Sequence, residues 1–360
     1  MQKKNRVIYL DYLRAISTLL VVCIHVAQGP LYSLEIGCDL WAVSNIIESF
    51  SMCAVPVFVM ISGRIFLNSD KRIKDLWQQN INRIVKVLVF FLVIYSIFAH
   101  WVLKKSIEES IVWAIESPLW FLWMIIGLYM MIPFLKMICE KNLQYYFLSL
   151  WLMVNFIVPL AIEIINRVVP VLNSYLLYVI GHEMQIVIGY LKLDFFMGYS
   201  GYFLLGYVID DVATTLGERR IIQKQWPKYL ALCGILILGG VMLIAVIAER
   251  IAMSNQQISM EVYGNFTIGI LIESIVFYGV LSLCVRGKED RLLHRVIMSV
   301  SKYSFGIYLW HAIVLVSMNQ LMGISIGSIW YIPIMVTSVA VISMVLSMLS
   351  KRIPLIGQWL

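Results

Sequence analysis

Charged side chains are scarce in this sequence. Only 14% of its 360 residues are Asp, Glu, Lys or Arg, whereas 61% are hydrophobic. A soluble domain usually has about a quarter of its residues charged. The deficit excludes an ordinary soluble protein and predicts an integral membrane protein. Because the apolar stretches cover the full length, we expect one membrane domain over residues 1–360 and no large soluble domain.

Close cysteine pairs and a signal-peptide cleavage site are also lacking. The six cysteines are widely spaced and mostly lie in or beside apolar stretches, where cysteine acts as a small hydrophobic residue. We therefore expect no disulfide and no metal site. No small-residue cleavage motif follows the first apolar stretch, so we expect that stretch to be retained. The net charge of +7 does not indicate nucleic-acid binding, because membrane proteins keep Lys and Arg on the cytoplasmic side.

The apolar stretches predict an all-α bundle of about ten transmembrane helices, each needing roughly 20 residues. The predicted spans are residues 7–28, 41–67, 84–103, 119–138, 144–165, 196–210, 228–248, 264–285, 302–322 and 329–349. The sixth is short and glycine-rich. With the N-terminus inside, the predicted cytoplasmic segments contain twenty-one Lys and Arg and the outer segments five. This bias predicts that both termini are cytoplasmic.

The first span contains three ionisable side chains, Asp11, Arg14 and His25. Such groups are costly in a membrane and usually face the bundle interior, where they serve a function. Arg14 and His25 lie within ~20° of one helix face and about 16 Å apart along the axis. Asp11 precedes Arg14 by one turn, so their side chains can meet. Alternatively, Arg14 is anchored at the head groups with Asp11, and His25 is an interfacial histidine. The shared face favours a common site.

Further candidates come from other spans. Arg83 and Lys86 lie one turn apart before the third span, where they could contact lipid head groups or hold a phosphate-bearing ligand. His311 falls near the middle of the ninth span and Tyr129 within the fourth.

The remaining candidates are two carboxylates within spans. Glu48 and Glu273 occur in the second and eighth spans. Each could pair with a histidine or arginine from another helix, or be neutral.

In order, these residues resemble the acyltransferase family 3 of bacterial membrane proteins. The first-span Arg14 and His25 match its arginine, ten residues, histidine motif. VPVFVMISG, the basic pair Arg83 and Lys86, LWFLWMIIGLYMMIP, GYFLLGY and SKYSFGIYLWH resemble its later motifs. The matches extend from residue 9 to about 311, and the single-domain O-acetyltransferases are the most similar type.

The resemblance implies transfer of an acetyl group from cytoplasmic acetyl-CoA to a hydroxyl of a surface or lipid-linked glycan, across a bacterial inner membrane. His25 would then be the general base, since imidazole titrates near neutral pH. Arg14 would hold a phosphate or carbonyl oxygen, and Arg83 and Lys86 the coenzyme A phosphates. A succinyl or other short acyl group, and an acyl-enzyme intermediate, are equally compatible with these residues.

The competing hypothesis is a transporter of a small solute or saccharide. Many transporters contain internal repeats, and no clear repeat is present here. In either case membrane lipids are expected partners, and His311, Tyr129, Asp11, Glu48 and Glu273 are expected to support the site rather than perform the reaction. For His311, a hydrogen bond between helices is the alternative.

Overall fold

The computed structural model describes residues 7–172, 196–217, 220–285, 292–321 and 325–359. All regular structure in these ranges is helical, which confirms the predicted all-α class. We label the helices α1 Ile8–Ser33, α2 Asp39–Ser51, α3 Ala54–Leu67, α4 Asn82–Trp101, α5 Ile107–Glu116, α6 Trp120–Glu140, α7 Gln144–Leu152, α8 Val158–Leu172, α9 Ser200–Gly217, α10 Arg220–Asn255, α11 Ile268–Cys284, α12 Leu292–Leu321, α13 Tyr331–Ser350 and α14 Pro354–Gly357.

Two π-helical stretches adjoin these helices in the described ranges. Leu76–Ile81 leads directly into α4, and Met153–Ile157 joins α7 to α8. A 3-10 turn at Met260–Tyr263 precedes α11.

Eight helical segments within the described ranges are long and apolar enough to cross a membrane. They are Ile8–Ser33, Asp39–Leu67, Ile73–Trp101, Trp120–Glu140, Gln144–Ile165, Lys228–Asn255, Met260–Cys284 and Tyr331–Ser350. The other two predicted spans were 196–210 and 302–322. Residues 200–210 lie in α9 and residues 302–321 in α12, and neither helix is among the eight. The chain is therefore a multi-pass membrane protein.

The first helix lies at the centre of the bundle. It packs against α2, α3, α11, α12 and α13. Its central position explains why residues such as Leu13 and Val26 are fully buried. Of the ionisable groups predicted on α1, Asp11 is buried, and Arg14 and His25 are partly buried.

The second predicted span is interrupted. Helices α2 and α3 are separated by Met52 and Cys53. Pro56 lies in the first turn of α3, where its missing N–H and its fixed φ are tolerated. The proline thus lies at a helix start rather than at a kink within one continuous helix.

Two glycines allow α3 and α9 to touch backbone to backbone. A Cβ atom added to Gly63 would lie 1.7 Å from the carbonyl oxygen of Phe203, and one added to Gly206 would lie 1.9 Å from that of Met60. Close approach of this kind depends on small residues in membrane helix pairs. Arg64 on α3 also forms an ion pair with Asp210 on α9, and the Tyr9 hydroxyl donates to the same carboxylate.

A short helix that the sequence analysis did not predict, α5, lies between α4 and α6. Its N-terminus has a capping box, in which the Ser106 hydroxyl accepts from the Glu109 amide at 3.2 Å and the Ser106 amide donates to Glu109 at 3.0 Å. These hydrogen bonds lower the pKa of Glu109. The S-x-x-E spacing is a known helix-start signal, and it was available in the sequence.

Candidate active site

A cavity of about 470 Å³ lies between α1, α3, α4, α6 and α12. Its size is in the range of small-molecule binding sites. The walls are mainly apolar, as in most ligand pockets, with a few polar groups at separate places. The polar and charged side chains that line it are Arg14, His25, Gln28, Ser62, Asn80, Arg83, Tyr129, Asn265, Ser304 and Tyr308.

The predicted pair on α1 shares this cavity. Arg14 and His25 both line it, as the spacing of the two residues on one helix face requires. Arg14 Nη1 lies 3.5 Å from Asp11 Oδ1, which confirms the expected contact between these neighbours. Asp11 is buried and accepts a hydrogen bond of 2.7 Å from Ser301 on α12. The carboxylate therefore restricts the guanidinium at one end of the cavity.

Arg83 and Tyr129 lie at the same end of the cavity as Arg14. Both line the cavity, and the Tyr129 side chain experiences the positive charges of Arg83 and Arg14. Its ring packs on Phe66 with centroids 4.4 Å apart. Two guanidinium groups and a phenol thus face one volume, an arrangement suited to an anionic ligand.

The His25 end carries a polar network between α1 and α2. Gln28, one turn after His25, interacts with the imidazole. Gln28 Nε2 donates to Glu48 Oε1 at 3.1 Å, and Glu48 is fully buried. With the amide nitrogen donating to Glu48, the amide oxygen can accept a hydrogen bond from the His25 ring. Gln28 thus links Glu48 to His25. In the described part of the chain, no arginine or histidine is a hydrogen-bond partner of Glu48.

His311 lies behind His25 and is fully buried. The centroids of the two rings are 5.1 Å apart. His311 Nδ1 is bonded to the Tyr308 carbonyl oxygen, which can only accept, so Nδ1 carries the hydrogen. His311 Nε2 has no hydrogen-bond partner within the described ranges. His311 is not among the residues that line the cavity.

Of the candidate residues, Lys86 and Glu273 also do not line the cavity. Lys86 does not line it; its ammonium lies 5.9 Å from the centroid of Trp359 near the C-terminus. Glu273 is fully buried on α11, and neither of its carboxylate oxygens has a hydrogen-bond partner in the described part of the chain. In that part, no group of three or more His, Cys, Asp and Glu side chains converges as a metal site would require.

Several residues that line the cavity were not among the sequence candidates. Gln28 could have been found, because it lies three positions after His25 on the same helix face. Tyr308 precedes His311 by three positions on α12; its ring lies 5.5 Å from Phe121 of α6, and its hydroxyl donates to the Pro118 carbonyl. Asn265 comes from the turn before α11 and has no periodic signal.

The bundle and its cavity define a multi-pass membrane protein with an internal cavity that has a basic end and an imidazole end. Residues 7–348 match a family model described as an acyltransferase domain. The chain therefore belongs to this acyltransferase family, as the motifs predicted. Comparisons with curated proteins and with solved structures gave no match.

Proposed function

We propose that the protein is a membrane O-acyltransferase that moves an acetyl or other short acyl group from cytoplasmic acyl-CoA to a hydroxyl of a surface or lipid-linked glycan. One observation carries this proposal. A single cavity contains two guanidinium groups at one end and the His25 imidazole, about 16 Å away along α1, at the other. That distance suits an extended pantetheine arm between a bound phosphate and a reacting thioester.

The donor binds at the basic end in this proposal. Arg83 and Arg14 attract the phosphates of acyl-CoA, and the apolar walls contact the pantetheine chain. Lys86 lies next to Trp359, so it would add to the positive field outside the cavity rather than contact the ligand within it.

The reaction takes place at the His25 end. The acceptor hydroxyl loses its proton to His25 as its oxygen attacks the thioester carbonyl carbon. The carbon–sulfur bond then breaks, and the proton passes from His25 to the departing sulfur. The products are an ester and free coenzyme A. Gln28, oriented by Glu48, would hold the ring so that its other nitrogen faces the acceptor.

We further propose that the protein crosses the inner membrane of a bacterium with ten transmembrane helices. Both termini then lie in the cytoplasm. The support is the charge asymmetry of twenty-one to five in the sequence. This topology places Arg14 toward the cytoplasmic donor and His25 toward the outer acceptor.

Purified protein in lipid nanodiscs should test the proposal. The wild type should release free thiol from acetyl-CoA when an acceptor glycan is present, and His25→Ala should lower the rate by ~10²-fold or more. Arg14→Ala should instead weaken donor binding, more at low salt than at high salt. A wild type that transports a saccharide but never cleaves acetyl-CoA would overturn the proposal in favour of a transporter.

A further inference from the structure

A cluster of cations lies next to the basic end of the cavity, outside its lining. Lys351 follows α13, and its ammonium donates to the Lys302 carbonyl oxygen at 3.0 Å. The Lys351 and Lys302 ammonium groups both approach the Tyr303 ring, at 4.8 and 5.1 Å from its centroid. The next residue, Ser304, lines the cavity. The cluster therefore borders the place where the cavity ends.

No carboxylate in the described part of the chain pairs with this cluster. Within the described ranges, no carboxylate forms an ion pair with Arg83, Lys302 or Lys351; the ion pairs found there involve Arg14, Arg64 and Arg72. Burial, and then the positive charges of Lys302 and Arg83, lower the pKa of Lys351. Lysines that only set membrane topology extend into water, whereas Lys351 is partly buried against other cations. Holding like charges together is unfavourable unless an anion joins them.

The three cations lie at different distances from the interior of the cavity. Arg83 lines the cavity, and Lys302 and Lys351 do not. Arg83 is nevertheless close enough to Lys351 for its charge to act on it. A bound ligand that extends out of the cavity therefore meets Arg83 first and the two lysines next.

We propose that Lys302 and Lys351 form the subsite for the 3′-phosphate of coenzyme A, with Arg83 contacting the diphosphate. The proposal rests on acyl-CoA being the donor. In coenzyme A the pantetheine is joined to the diphosphate, and the 3′-phosphate lies beyond it on the ribose. The chemical order of the ligand thus matches the spatial order of cavity, Arg83 and lysine pair.

Binding of coenzyme A and of 3′-dephospho-coenzyme A to the full-length protein tests this directly, without any need for turnover. Calorimetry in zwitterionic nanodiscs should show that the wild type prefers coenzyme A by about tenfold or more, as expected for charge-assisted hydrogen bonds. Lys302→Gln with Lys351→Gln should remove this preference: affinity for coenzyme A falls by about that factor, and affinity for the dephospho form is unchanged. Lys351→Arg should keep much of the preference.

Two controls separate the subsite from general charge effects. Arg352→Gln removes an exposed cation next to Lys351 and should keep the preference. Arg83→Gln should weaken both ligands alike, because both contain the diphosphate. Thermal unfolding of each variant establishes that the protein still folds.

The outcomes have distinct meanings. Equal wild-type affinity for the two ligands, or equal loss of both in the double lysine variant, overturns the 3′-phosphate assignment and leaves the acyltransferase proposal standing. Absence of coenzyme A binding to the wild type overturns both. If the lysines serve anionic lipid head groups instead, the wild type will lack the preference in zwitterionic nanodiscs, and phosphatidylglycerol binding will depend on the two lysines.

Discussion

The rings of His25 and His311 lie with their centroids 5.1 Å apart, tilted by 34°, although they come from the first and twelfth helices. Only His25 lines the cavity. His311 is tied to the backbone of its own helix through Nδ1 and directs a bare Nε2 into the protein interior. The two histidines therefore have different environments. His25 can reach a substrate in the cavity, and His311 lies behind His25.

This difference predicts how the two histidines respond to substitution. His311→Gln keeps hydrogen-bonding ability and should retain much of the transferase activity, with the histidine limb of the pH–rate profile still present. His25→Gln should remove both the activity and that limb. Loss of the limb in His311→Gln, together with its survival in His25→Gln, would show that the roles are reversed.

The contact between Gln28 and Glu48 predicts a positioning effect on His25. Glu48→Leu removes the acceptor that holds the amide, so Gln28 can rotate away from the imidazole. We expect kcat to fall about 2- to 10-fold, the value of one hydrogen bond, with little change in the KM for acyl-CoA. Steady-state kinetics with varied donor measures both constants.

Glu48→Gln is the matched control for this effect, because its amide oxygen can still accept from Gln28. It should retain most of the activity that Glu48→Leu loses. An equal loss in both variants would mean that the carboxylate charge matters, rather than the orientation of Gln28.

The contact between α3 and α9 predicts a large penalty for one methyl group. In Gly63→Ala the new Cβ would lie 1.7 Å from the Phe203 carbonyl oxygen, so the helices must separate. Overpacking of this kind costs about 1–3 kcal/mol or more. Because α3 also supplies the cavity residues Phe58 and Ser62, acyl transfer should fall as well. Thermal unfolding in detergent and transfer rates provide the measurements.

Gly127→Ala provides the comparison within the same bundle. It lies inside α6, and an added Cβ would meet no atom within 4 Å. This variant should unfold at or above the wild-type temperature, since Ala favours a helix by about 1 kcal/mol over Gly. If Gly63→Ala unfolds at the same temperature as Gly127→Ala, the tight contact between α3 and α9 is absent in the membrane.

The charge asymmetry predicts the topology. Single cysteines at Lys3, Asp39, Arg220 and Gln256, in a cysteine-free background, should respond differently to an impermeant thiol reagent in intact cells. Positions 39 and 256 should be labelled, and positions 3 and 220 only after lysis. Labelling at position 220 in intact cells would show that this segment is on the outer side. The predicted topology, and with it the cytoplasmic entry of the donor, would then be wrong.

The sequence alone determined the membrane class, the helical fold and the family of this protein. Long apolar runs permit little else in a bilayer, because backbone hydrogen bonds must be satisfied within each segment. It also determined that Arg14 and His25 share a face and that Asp11 meets Arg14, since helix geometry relates residues of one segment directly. For the same reason Gln28, three positions after His25, was within reach of sequence reasoning.

Only the tertiary structure decided which helices supply the remaining groups. The pairing of His25 with His311 and of Gln28 with Glu48, and the position of Lys86 beside Trp359 outside the cavity, depend on how helices distant in sequence pack. The approach of Lys302 and Lys351 to one tyrosine has the same origin. Periodicity specifies which face of each helix is buried, but the partner of that face follows from close packing of side chains across the whole bundle.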